Sequence, residues 1–92
     1  MPRPRQRRRL RGAPRAVFYK PQGVPLRSVE IVELSLEEFE AVRLRYDKEL
    51  NQMACARQMR TSQSTFQRIL STALHKIADA IVHGKAIRIV QI

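Results

Sequence analysis

Between residues 50 and 72 the chain sets out a row of hydrogen-bonding side chains with no carboxylate among them: Gln63, Ser64, Thr65, Gln67, Arg68 and Thr72. Glutamine pairs bidentately with adenine and arginine with guanine, while serine and threonine hydroxyls hold phosphate oxygens. An ordinary solvated helix face mixes Glu with Lys. Here Asp79 is the sole acid between 50 and 92, and an acid-free surface is what a polyanion requires. Ser62 and Arg60 stand just ahead of the row, at the start of its helix and in the preceding turn.

Two helices must position that row. Asn51 is placed to cap a helix over about 52–59, and Ser62 to cap one over about 62–83. A short helix, a three-residue turn and a second capped helix make a helix-turn-helix arrangement. Its wedge needs apolar residues at Cys55, Met59, Phe66 and Ile69, and a small one, Ala56, where the helices cross. All five positions comply, although the same spacing would also suit any antiparallel helix pair. The second helix carries Phe66, Ile69, Leu70, Ala73, Leu74, Ile77, Ala78 and Ile81 at three-to-four spacing. It ends at His83–Gly84, with glycine placed for a left-handed C-terminal residue.

The remaining elements frame this pair. Ser35 with Glu38 matches a capping box and opens a first helix over about 36–47, its inner face read as Leu36, Phe39, Val42 (or Ala41) and Tyr46. Residues 28–34 and 86–91 read as short strands that pair within the chain or across to a second copy, and 17–20 is a strand-like run. Fold class is therefore mainly α: a three-helix, winged-helix-like domain over 17–92 with short flanking strands.

The chain has 92 residues and a net charge of +10. Residues 1–20 hold eight bases and no acid, which leaves +2 for the rest. Arg3, Arg5, Arg7, Arg8, Arg9, Arg11 and Arg15 thus define a Pro/Arg-rich arm over 1–16, expected to be disordered alone and to seek a polyanion. Fully extended, 15 residues reach about 50 Å. Basic N-terminal segments of this kind enter a minor groove beside a major-groove helix.

Several chemistries find no support. His75, Asp79 and His83 share one helix face but suggest no further metal ligand, and no metal or cofactor is expected. Cys55 reads as a buried small hydrophobe. No Gly-rich phosphate loop or catalytic carboxylate pair occurs, so an enzyme is not expected, and no small-molecule pocket is evident. No apolar run approaches the roughly 18 residues of a membrane span, and none follows the arginines before Pro14 as in a signal peptide. The expected location is cytoplasmic, at the nucleoid.

With these residues laid out, the chain resembles a family of small, uncharacterised prokaryotic proteins predicted to bind DNA, whose helix-turn-helix looks like region 4 of sigma factors. The resemblance runs through "MPRPR", "FYKPQGVPL" at 18–26, "LSLEEFEAVRL" at 34–44, "TFQRIL" at 65–70 and "VHGKAIRI" at 82–89. It implies that Ser62, Gln63, Thr65, Gln67 and Arg68 lie at or near DNA. This chain departs from the family pattern twice. Arg7 and Arg11 stand where members often carry cysteines, and Arg60–Thr61 replaces a usual Gly–Val.

The expectation is a DNA-binding regulator that reads the major groove of double-stranded DNA with the third helix. Surplus apolar residues on that helix (Leu74, Ile77, Ala78, Ile81) and on the last strand predict a homodimer. An RNA-binding or ribosome-associated accessory protein, and an interaction module of the transcription machinery, remain open alternatives.

Overall fold

The computed structural model describes residues 17–90. In order these are β1 (Phe18–Tyr19), a 3-10 turn (Leu26–Ser28), β2 (Ile31–Ser35), α1 (Leu36–Val42) running into a π-helical turn (Arg43–Asp47), α2 (Gln52–Gln58), α3 (Gln63–His83) and β3 (Ala86–Val90). The fold is mainly helical with a small sheet. The arm lies outside the described residues, as does Gln91 at the end of the expected last strand.

Each helix starts where a side chain can satisfy its free amides. At α1 the Glu38 amide donates to Ser35 Oγ (3.0 Å) and the Ser35 amide to Glu38 Oε1 (2.9 Å), a complete capping box. Asn51 Oδ1 accepts from the Ala54 amide at α2 (2.8 Å). Ser62 Oγ accepts from the Thr65 amide at α3 (3.1 Å), so Ser62 precedes that helix as its cap. Gly84 ends α3 at φ 66, in the left-handed conformation.

Strand β3 is central in the sheet, antiparallel to β1 and parallel to β2 within the same chain. A parallel pair needs a long crossover, and the three helices supply it. The second strand is shorter than the expected 28–34: Ser28 closes the 3-10 turn instead, its amide donating to the Pro25 carbonyl (2.8 Å).

Two apolar clusters share α3. Ala41, Leu44, Cys55, Ala56, Phe66 and Leu70 form one, joining the three helices. Leu34, Ala73 and Ile89 form the other, seating the sheet on α3 with Phe39, Ile77 and Ile87. Full burial of a side chain such as Phe66 stabilises by about 1.5–3 kcal/mol.

Two expectations about inner faces are corrected. Tyr46 is not in the core but 54 % exposed, while Leu44 is buried. Leu44 lies three residues after the fully buried Ala41 and shares its face, whereas Tyr46, two residues on, points about 200° away at roughly 3.6 residues per turn. The helix then closes in a π-helical turn, the Lys48 amide donating to the Arg43 carbonyl five residues back (2.9 Å). On α3, Leu74, Ala78 and Ile81, expected as surplus to the core, are exposed, but Ile77, expected among them, packs against the Leu34–Ala73–Ile89 cluster. The sheet and α1 cover one side of the helix, and the buried stripe runs through Phe66, Leu70, Ala73 and Ala80.

Candidate functional site

The corner between α2 and α3 is fixed by backbone. The Arg60 amide donates to the Arg57 carbonyl (3.1 Å) and the Thr61 amide to the Ala56 carbonyl (3.0 Å). This is a Schellman closure, with Arg60 in its left-handed position at φ 57. Glycine adopts that conformation without strain, and an L-residue pays about 1 kcal/mol. Beneath the turn, Cys55 and Phe66 are fully buried and Ala56 is 4 % exposed, with Met59 and Ile69 packed partly buried against them. The Cys55 Sγ donates to the Leu50 carbonyl at 3.6 Å. Burial pushes its thiol above the ordinary range, only partly offset by Arg45, and so keeps it protonated and unreactive.

The outer residues of α3 fall into three groups. Gln63 and Gln67 face the start of α2, where Gln63 Nε2 approaches Gln52 Oε1 at 3.5 Å. Gln67 lines an open groove with Arg45, Tyr46, Gln52, Ser71 and Leu74. Arg68 and Thr72 turn the other way, into a shallow depression shared with Glu37 and Glu38 of α1. Ser62 and Thr65 are largely committed to the cap, since the Ser62 hydroxyl also donates to Thr65 Oγ1 (2.9 Å). Thus Ser64, Gln67, Arg68 and Thr72 are exposed and make no hydrogen bond that fixes them, apart from the 3.3 Å contact between the Ser64 and Ser62 hydroxyls.

Charge is segregated around this corner. Glu40 pairs with Arg43, Glu38 with Lys76, Glu33 with Arg88, and Glu30 and Asp79 with Lys85. Among the described residues Arg57, Arg60 and Arg68 make no ion pair, and all three are exposed. Five of the eight acids are therefore paired, Glu38 and Glu40 on α1 and Glu30, Glu33 and Asp79 around the sheet and the far end of α3, while Glu37, Asp47 and Glu49 make no ion pair among the described residues. Burial raises the Glu38 carboxyl, but hydrogen bonds from Lys76 Nζ (2.8 Å) and the Ser35 amide outweigh it and hold it below its ordinary value. Glu38 is thus kept as an anion paired with Lys76 beside the Arg68 depression, and Glu37 next to it has no ion-pair partner among the described residues.

Three residues join the surface that the sequence reading did not single out. Gln52 opens α2 opposite Gln63, Arg57 sits in its last turn, and Arg45 lies 5.6 Å over the Tyr46 ring while donating to the Leu50 carbonyl (3.3 Å). Arg57 belongs to the same acid-free stretch, a signal available beforehand. Arg45 depends on the π-helical turn and had none.

The histidines on α3 are engaged locally. His75 Nδ1 donates to the Ser71 carbonyl (2.8 Å), and His83 Nδ1 lies 2.8 Å from Asp79 Oδ1. No group of three metal-ligating side chains comes together among the described residues. None of their helices is long and apolar enough to cross a membrane.

Comparison with known proteins places this geometry in a lineage. A family model described as a protein of unknown function, DUF134, matches residues 1–91. A "UPF0251 protein" of Caldanaerobacter subterraneus subsp. tengcongensis is 48 % identical over 89 residues, covering 97 % of this chain and 75 % of the relative. Another, from Dehalococcoides mccartyi, is 49 % identical over 97 % of this chain and 76 % of its own length. A third, from Moorella thermoacetica, is 49 % identical over 97 % of this chain, which spans 60 % of that relative. No solved structure matches the chain. The chain belongs to this family of proteins of unknown function.

Proposed function

We propose that this family member is a sequence-specific double-stranded-DNA-binding protein, acting as a transcriptional regulator at the nucleoid. The observation that carries the reading is the segregation of charge. Among the described residues Arg57, Arg60 and Arg68 make no ion pair: Arg57 and Arg60 stand at the corner, Arg68 beside Glu37 and Glu38 of α1, and five of the eight acids are held in pairs. In this reading the first turns of α3 enter the major groove like a helix-turn-helix recognition helix. Gln67 and Arg68 meet base edges, Gln63 and Ser64 meet bases or phosphates, and Arg60 and Arg57 meet the backbone. The seven arginines of the arm add sequence-independent grip on phosphates or the minor groove. The protein acts as a homodimer and reads two half-sites about one helical turn apart.

The first experiment is selection from a random duplex pool, followed by titration of the winner against salt. If about six phosphates are neutralised, affinity should fall about a thousandfold between roughly 50 and 200 mM salt. A recovered palindrome with that slope supports the reading. A steep slope with no enriched motif would sink sequence reading by α3 and favour a folded RNA, gripped by the arm through shape. No salt-dependent affinity at all would leave a protein-interaction module.

A further inference from the structure

On α3, Ser71, Leu74, His75, Ala78, Ile81 and Val82 form a continuous exposed stripe beyond the candidate reading surface. Ile81 and Val82 are each 73 % exposed and Leu74 is 36 % exposed. Tyr46 borders the Leu74 end of the stripe, and Tyr19 and Pro21 border the Ile81 end. Large side chains exposed to this degree in one patch mark a surface that something covers.

We infer that a second copy of this chain covers it, the two α3 helices packing antiparallel about a two-fold axis at Ala78. Two features select a copy over another occupant. The six stripe residues include no Lys, Arg, Asp or Glu, so two chains of net charge +10 meet along the stripe itself without like-charge contact. An acidic partner or an anionic surface would find bases only past its ends, at Arg45 and at Lys20 and Lys85. The sequence is also self-complementary when reversed about residue 78: Leu74 falls opposite Val82, His75 opposite Ile81, and Ala78 opposite itself. The small residue stands at the crossing, where two backbones approach most closely.

A consequence follows that rests on the DNA-reading proposal. Gln67 lies 11 positions before Ala78, about 16 Å along the helix axis at about 1.5 Å per residue. Antiparallel packing about Ala78 then separates the two Gln67 positions by at most about 33 Å. That approaches the ~34 Å between successive major grooves on one face of a duplex. The interface itself thus sets the half-site spacing.

The test uses the full chain. Sedimentation at tens of micromolar should give about twice the 10.7 kDa chain mass, and Ile81→Glu should reduce it to a single chain with helical circular dichroism unchanged. Ala78→Cys should oxidise rapidly to a disulfide-linked dimer, whereas Lys48→Cys on the exposed loop should not. Ile81→Glu should also lose about a hundredfold in affinity for a two-half-site duplex, while binding a single half-site as the parent does. A monomeric parent overturns the inference and leaves the stripe to a different protein. A dimer in which Ala78→Cys links no faster than Lys48→Cys overturns it too, since association then uses another surface. A dimer through Ala78 that binds no duplex would remove the DNA reading and leave the interface standing. Tight half-site binding by a monomer would do the reverse.

Discussion

Arg60 bears two opposing demands. Its backbone holds φ 57 to close the Schellman turn, a conformation glycine adopts more cheaply. Its exposed guanidinium stands at the rim of the corner without an ion pair. Arg60→Gly should therefore raise stability by about 1 kcal/mol, read as a higher urea midpoint at unchanged slope. The same variant should weaken binding to all duplexes alike, because a phosphate contact carries no sequence information. Arg68 makes the contrasting case. It shares its depression with Glu37 and Glu38 and pairs with neither among the described residues. Arg68→Ala should cost about 1–3 kcal/mol on the selected site and relax preference at one position. Equal weakening on random DNA would reduce Arg68 to a phosphate contact.

At the scale of elements, the caps decide where each helix begins and hence where its outer face points. The α1 capping box links three elements, because Lys76 Nζ on α3 donates both to Glu38 Oε1 and to the Glu33 carbonyl of β2. Ser35→Ala should cost about 1 kcal/mol, measured by urea unfolding at neutral pH. The box also gives the fold a pH dependence. The Glu38 carboxyl is held below its ordinary value of 4.5 in the folded chain. Its stabilisation is therefore complete above about that value and is lost as pH falls through the lower folded one. Glu38→Gln should flatten the acid limb of stability below about pH 4.5 and leave the neutral-pH slope unchanged. A parallel shift of the whole curve would assign the effect to lost packing instead.

For the whole molecule, the arrangement is polar in the electrical sense. Residues 1–20 carry eight bases and no acid, Arg57 and Arg60 at the α2–α3 corner make no ion pair among the described residues, and the paired acids lie on α1, around the sheet and at the far end of α3. Deleting residues 1–15 should weaken every duplex to a similar degree and flatten the dependence of affinity on salt, since each lost phosphate contact lowers that slope by about one. Preference among sequences should survive the deletion. Loss of preference with retained slope would move base reading to the arm.

Local signals in the sequence determined most of the helical frame. Ser35, Asn51 and Ser62 mark three helix starts because each presents an oxygen to an otherwise free amide, and Gly84 marks an end because it tolerates a left-handed turn. Apolar spacing at Cys55, Ala56, Phe66 and Leu70 placed these residues inside, as burial at helical period requires. The acid-free run from 50 to 78 was equally plain. Tertiary structure alone decided the rest. The parallel pairing of β2 with β3 depends on partners some 55 residues apart. Which of two overlapping apolar faces of α1 turns inward, Ala41 with Leu44 rather than Val42 with Tyr46, is decided by packing against Cys55 and Phe66 and not by period. Leu74, Ile77, Ala78 and Ile81 all read as surplus to the core, but the sheet and α1 cover one side of α3 and take in Ile77 alone. Where an apolar stripe ends up, inside or at the surface, is set by what the other elements have area enough to cover.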